Sequence, residues 1–271
     1  MEEFICRTCG VQFAPSEQPP ARCPICEDER QYVGWNGQQW TTLEQLRAEG
    51  RTNALNEEEP GLLSIETRPS IAIGQRALLV QTPHGNVLWD CITLVDDATI
   101  AAIKERGGLK AIAISHPHFY ASSVTWSQAF NNCPIVLHSA DAAWVQYPSP
   151  NIQHWQGQTL ELLPGITLVN TGGHFEGSQA LHWADGCNGR GAILTGDTVQ
   201  VVMDRRYVSF MYSYPNLIPL GPRAITRIMD RLRPFAYDRI YGGWNGKLVG
   251  IDGKDAVERS AERYLRFIRE T

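Results

Sequence analysis

Four cysteines stand in two short pairs near the start of this 271-residue chain, Cys6-Arg7-Thr8-Cys9 and Cys23-Pro24-Ile25-Cys26, with thirteen residues between the pairs. Each Cys-x-x-Cys turn brings two sulfurs to one ion, and four thiolates complete the closed tetrahedral shell that structural zinc prefers. Rubredoxin-type iron uses similar knuckles, including Cys-Pro-x-Cys, and is the competing metal. Residues 1 to 40 are dense in Cys, Pro and Gly and show no apolar periodicity, so they need a staple in order to fold. A filled zinc shell has no redox chemistry. The ribbon is therefore expected to fold and position the N-terminal segment rather than to catalyse. Cys91, Cys133 and Cys187 occur singly, and an odd total of seven cysteines suits metal binding better than a disulfide framework.

A second group of ligand types is spread along the chain. His116-Pro117-His118 follows the apolar run Ile112 to Ser115, so two imidazoles leave a strand end, where residues two apart on extended backbone project to the same side. Thr171-Gly172-Gly173-His174-Phe175-Glu176-Gly177-Ser178 follows another strand, and Leu194-Thr195-Gly196-Asp197-Thr198 ends a third. Glycines beside His174 and Asp197 let the backbone turn tightly there. Neutral imidazoles and a carboxylate are suitable ligands for zinc, iron or manganese.

The order HxH, then Gly-His-x-x-Gly-Ser, then Gly-Asp-Thr resembles the metallo-β-lactamase superfamily over residues 62 to 245, including Leu88-Trp89-Asp90 where that family has an early strand ending in aspartate. The resemblance implies an α/β fold, an αββα sandwich with metal between the sheet edges, preceded here by the small four-cysteine ribbon. It implies that His116, His118 and His174 are the ligands of the first metal and that Asp197 is the carboxylate that bridges metals in dinuclear members. The family's fuller motif, His-x-His-x-Asp-His, is replaced by His116-Pro117-His118-Phe119-Tyr120-Ala121, and its late histidine by Trp244 or Asn245. Indole is no ligand. One metal on three histidines, with Asp197, is the expectation.

A zinc ion with an open position lowers the pKa of water toward about 7, so a hydrolase acting on a small molecule is the leading reading. Asp197 either completes the coordination or accepts the proton of the water. Tyr120 either donates to a developing oxyanion or fills the vacated second-metal space. Two other readings stand beside it: a mononuclear iron oxidoreductase built on His, His and Asp, and a noncatalytic metal-stabilised binding module. Asp90 is read as support for a ligand histidine or as a cap on backbone groups, and His138 and His182 as packed, hydrogen-bonded histidines. His84 falls in a turn and His154 beside Trp155. Asp204 to Tyr207 and Met211 to Asn216 read as a polar aromatic loop, either solvated or lining a pocket; Arg205 and Arg206 are not assigned to the site.

The elements that must position these groups follow from pattern. Strands are expected at Arg76 to Gln81, Val87 to Asp90, Leu109 to Ser115, Pro134 to His138, Thr159 to Leu163, Ile166 to Asn170, Ser178 to Trp183 and Gly191 to Thr195. Helices are expected at Ala98 to Arg106, about Ser122 to Phe130, Pro222 to Leu232 and Ala256 to Ile268, and Thr41-Thr42-Leu43-Glu44 reads as a capping box for a short helix through Ala48. Asn56 to Gly61 reads as an exposed connector. The domains are accordingly a ribbon over 1–40, a helix and connector over 41–61, and a metallo-β-lactamase-like domain over 62–271. With 43% hydrophobic and 20% charged residues the chain can bury a sizeable core. A net charge of -5 lacks the basic excess of a protein that grips phosphate backbones, so nucleic acid is not the expected partner. The acidic start, without an apolar signal region, and the lack of any ~20-residue apolar span point to a cytoplasmic protein that does not enter the membrane. A protein partner for the ribbon and the oligomeric state stay open.

Overall fold

A computed structural model describes residues 1–269. The chain forms two compact units, Met1–Leu137 with Ala142–His154, and His138–Asp141 with the described residues from Trp155 onward.

The first unit carries a seven-stranded sheet whose strands lie side by side in chain order: Thr52–Glu59, Leu62–Arg68, Arg76–Thr82, Gly85–Trp89, Ala111–Ala113, Ile135–His138 and Ile152–Trp155. The early neighbours pair antiparallel. Gly85–Trp89, Ala111–Ala113 and Ile135–His138 run parallel, because the helices Asp97–Glu105 and Ser123–Ala129 cross between them. Asp96 caps the first of these helices by accepting from the Thr99 amide at 2.7 Å. Leu78, Leu79, Val80, Val87, Leu88 and Trp89 are all buried, the mark of central strands covered on both faces.

Two expectations are corrected here. The acidic run read as a connector is instead the end of an edge strand, Thr52–Glu59, registered against Leu62–Arg68. Glu58 lies 2.8 Å from the guanidinium of Arg76, whose side chain is 1% exposed, and Glu59 is itself buried. Cross-strand charge pairing overrides the low strand propensity of glutamate. The capping box is shifted by one: Thr42, not Thr41, caps Leu43–Ala48 by accepting from Gln45 N at 3.2 Å, while Thr41 belongs to a short strand, Trp40–Thr41, paired with Ile5–Cys6.

The second unit holds a six-stranded sheet in the order Thr159–Leu163, Ile166–Asn170, Gln179–Trp183, Ala192–Gly196, Arg239–Gly242 and Leu248–Val249. The pair Ala192–Gly196 and Arg239–Gly242 is parallel, with Pro222–Leu232 in the crossover, and the other neighbours are antiparallel. Pro222 occupies the first turn of its helix, where its missing N–H costs nothing. Ile225, Ile228 and Leu232 of that helix, and Ala256, Val257 and Ala261 of the helix Gly253–Arg269, join Val169, Ala180, Ile193 and Ile240 of the sheet in one core. Each unit is thus a sheet with helices laid on it, the architecture expected for an α/β chain. Among the described residues, no helix is long and apolar enough to cross a membrane.

Candidate metal centres

The four cysteines come together as the spacing predicts. All are buried, and their sulfurs lie within 4.8 Å of one another, with Cys6–Cys26 at 3.5 Å and Cys9–Cys23 at 3.7 Å. Four sulfurs each about 2.3 Å from a central zinc would be roughly 3.8 Å apart, whereas a disulfide would hold two at about 2 Å. The set therefore fits an ion and not a disulfide. Burial pushes the Cys9 thiol well above its ordinary pKa, so a full set of thiolates there needs a cation. Two backbone bonds close the first knuckle, Gly10 N to Cys6 O at 2.8 Å and Cys6 N to Val11 O at 3.0 Å. The second knuckle turns in the short helix Pro24–Glu27.

In the first unit His116 and His118 are buried, with ring centroids 5.1 Å apart, and each offers a nitrogen within 4.8 Å of the other's. They converge for a reason the extended-strand argument missed. His116 is extended, but Pro117–Phe119 is a turn of 3₁₀ helix, favoured by proline's fixed φ, and it folds His118 back beside His116. The Phe119 ring packs edge-on to His116 at 5.0 Å. Asp90 accepts from the Ser115 amide at 2.7 Å and from the Ser115 side chain, and Ser115 Oγ lies 3.0 Å from His116 Nδ1. With the hydroxyl donating to Asp90, its oxygen accepts from Nδ1–H, which leaves Nε2 of His116 as the lone-pair nitrogen. Burial pushes the Asp90 carboxyl up to about 7.

In the second unit His174 and Asp197 are both buried, and His174 Nε2 lies 3.9 Å from Asp197 Oδ1. That exceeds a hydrogen bond and is a few tenths of an ångström beyond the roughly 3.4 Å between two ligands of one tetrahedral zinc. His174 Nδ1 donates to the Met211 carbonyl at 3.2 Å, leaving Nε2 for a metal. The loop before it is anchored by Gly177 N, which donates to the buried Asp141 at 2.8 Å; a Cβ on Gly177 would sit 2.5 Å from Asp141 Cγ. Asp197 follows Gly196 at the end of its strand, and Tyr214 Oη donates to the Asp197 carbonyl at 2.8 Å.

The polar aromatic loop is more ordered than its composition suggests. It forms two small hairpins, Gln200–Val201 with Val208–Ser209 and Met211–Ser213 with Ile218–Pro219, and these supply the Met211 carbonyl and Tyr214. Neither role, nor that of Ser115, has a signature in the local residue pattern. Gly243 N donates to Gly196 O at 2.8 Å, so Trp244 and Asn245 leave the sheet beside Asp197. Tyr120 is buried, and with Val11, Gln12 and Ala121 it lines a small cavity of about 20 Å³. His138 and His182 are packed against Trp155 and Phe235 and bond the carbonyls of Gly157 and Ala236 at 3.2 and 2.8 Å.

This architecture is that of the metallo-β-lactamases. VMB-1 at pH 5.5 superposes with a TM-score of 0.58 at 15% identity, covering 80% of this chain and 98% of its own. DIM-1 gives 0.58 at 13% identity, covering 78% and 97%. A B3 metallo-β-lactamase with an active-site glutamic acid gives 0.52 at 15%, covering 85% and 94%. At these identities the likeness is one of fold. No protein-family model matches the chain. The chain belongs to the family of YmaE of Bacillus subtilis (strain 168), an uncharacterized protein to which it is 49% identical over 269 residues, 99% of this chain and 97% of YmaE.

Proposed function

We propose that the protein is a metal-dependent hydrolase in which His116, His118, His174 and Asp197 together hold one zinc ion, while the four cysteines hold a second, structural one. What supports this is the chemistry of the donors: two buried imidazoles in the first unit, and a buried imidazole and carboxylate in the second, are together the donor types of a mononuclear zinc site. The Ser115 and Met211 contacts leave the outer nitrogens of His116 and His174 unprotonated, as a ligand requires. A single ion is favoured because Tyr120, Ala121 and Trp244 stand where the family resemblance puts second-metal ligands. Among the described residues, the cysteines and this set are the two groups of three or more potential ligands.

When bound, such an ion acidifies water toward a pKa of about 7 and polarises a carbonyl or phosphoryl oxygen. The chain's own residues would do the rest. Four protein ligands would close a tetrahedral shell, so Asp197 would have to yield its position to water, whose proton its carboxylate could then take. The Tyr120 hydroxyl would donate to the substrate oxygen as it gains charge. Tyr214, bonded to the Asp197 carbonyl, holds that residue in place. The substrate class is a small molecule with a hydrolysable carbonyl or phosphoryl centre. The cytoplasm is the proposed compartment, because four cysteines kept for a metal need a reducing environment to stay available to it.

Elemental analysis combined with a hydrolysis screen tests the reading. Two zinc ions per chain with turnover support it. Iron with oxygen consumption replaces it with an oxidoreductase, and two ions without turnover in either assay make the domain a metal-stabilised binding module.

A further inference from the structure

The cysteine ribbon reaches the first histidine pair by two routes, both within the first unit. Gln12, three residues beyond Cys9 and 2% exposed, donates its amide to the Ala121 carbonyl at 3.0 Å and accepts from Thr125 Oγ1 at 2.9 Å. Its side-chain amide donates to Glu3 at 2.7 Å, and Glu3 in turn accepts from Tyr147 Oη at 2.7 Å. The second route starts at Gly10, whose carbonyl accepts from Thr93 Oγ1 at 3.2 Å; Ser122 Oγ then donates to the Thr93 carbonyl at 2.7 Å. A Cβ at Gly10 would lie 2.3 Å from Thr93 Oγ1, so the knuckle backbone and the Thr93 loop are in direct contact.

Both routes end on residues 121 to 125, immediately after His118. Ala121 sits at φ 41°, a left-handed conformation that an L-residue holds only when its surroundings impose it. The cost of that conformation is of the same order as what one or two buried hydrogen bonds contribute. Gly10 to Gln12 in turn owe their path to the closed knuckle of Cys6 and Cys9.

We propose that the ribbon is the positioning element of the histidine site, with Gln12 as the positioning residue that locks the strained turn and so presents His116 and His118 to their metal. This rests on the assignment of those histidines as ligands. The ribbon's ion acts at a distance, by fixing Gly10 to Gln12. Its loss releases residues 118 to 125 and weakens the second centre.

The test compares the full chain with Gln12→Ala and with the double variant Gln12→Glu, Glu3→Gln, which reverses donor and acceptor in the bond between positions 12 and 3 and leaves both positions able to accept from Thr125 and Tyr147 as before. In Gln12→Ala the ribbon ion is retained, retention of the second ion against a chelator falls about tenfold, and amides 118–125 exchange about fivefold to tenfold faster. With cobalt(II) as the probe metal, the visible d–d bands of the histidine site shift, while the thiolate-to-cobalt bands of the ribbon do not. The double variant restores all three readouts. Unchanged exchange and retention in Gln12→Ala overturn the proposal, as does a double variant that remains as impaired as the single one. A wild-type chain that holds only the ribbon ion contradicts the ligand assignment, and amide exchange then decides the clamp on its own.

Discussion

His174 takes its tautomer from the Met211 carbonyl and His116 takes its own from Ser115, so at the level of single residues the groups that matter most are the ones behind the ligands. Tyr214→Phe removes the hydroxyl that holds the Asp197 carbonyl at 2.8 Å. It should cost about 1 kcal/mol of stability, read from the denaturant midpoint, and should reduce turnover more than substrate binding. Asp90 gives a pH test. Its buried carboxyl is raised from 3.8 to about 7, so its contribution is fully present below 3.8 and is lost as pH rises through about 7. Asp90→Asn still accepts from the Ser115 amide but cannot ionise. The stability of wild type relative to this variant should fall between pH 4 and 7 by up to about 1.4 kcal/mol per pH unit, whereas parallel pH profiles would contradict the assignment. The candidate ligands were legible as residue types, because imidazole, carboxylate and thiolate carry their chemistry with them. Ser115, Tyr214 and Met211 were not: a serine, a tyrosine and a backbone carbonyl acquire their roles only when the fold brings them up to a ligand.

The elements show where local pattern suffices and where it fails. Runs such as Arg76–Thr82, Ile166–Asn170 and Pro222–Leu232 were readable because burial and periodicity agree with propensity. Thr52–Glu59 was hidden, because a strand that ends in three glutamates looks solvated until Arg76 is known to lie buried beside Glu58. Glu58→Ala leaves that guanidinium without this partner and should destabilise the protein by about 3 kcal/mol, measured by chemical denaturation. Pro117 was visible, but its effect was not. It turns an expected extended segment into a 3₁₀ turn, and the two histidines meet by folding back rather than by alternation. In the loop that presents His174, Gly177→Ala should cost about 1–3 kcal/mol by forcing a Cβ against Asp141. A variant as stable as wild type would show that the loop can yield there.

At the scale of the whole molecule, the motifs in order carried the fold, since three ligand-bearing strand ends at the right spacing leave few architectures, and the metallo-β-lactamase likeness agrees with them. What the chain's own sequence could not carry is the use made of the ribbon, because Gln12 and Ala121 are 109 positions apart in sequence and nothing local links them. The central claim is that one chain holds two independent ligand sets, one of four sulfurs and one of three imidazoles with a carboxylate. The most direct measurement is the metal content of purified wild type and of His174→Ala by elemental mass spectrometry. Two ions per chain should fall to one, the remaining ion being released only when the cysteines are modified. A His174→Ala chain with the same metal content as wild type would contradict the account.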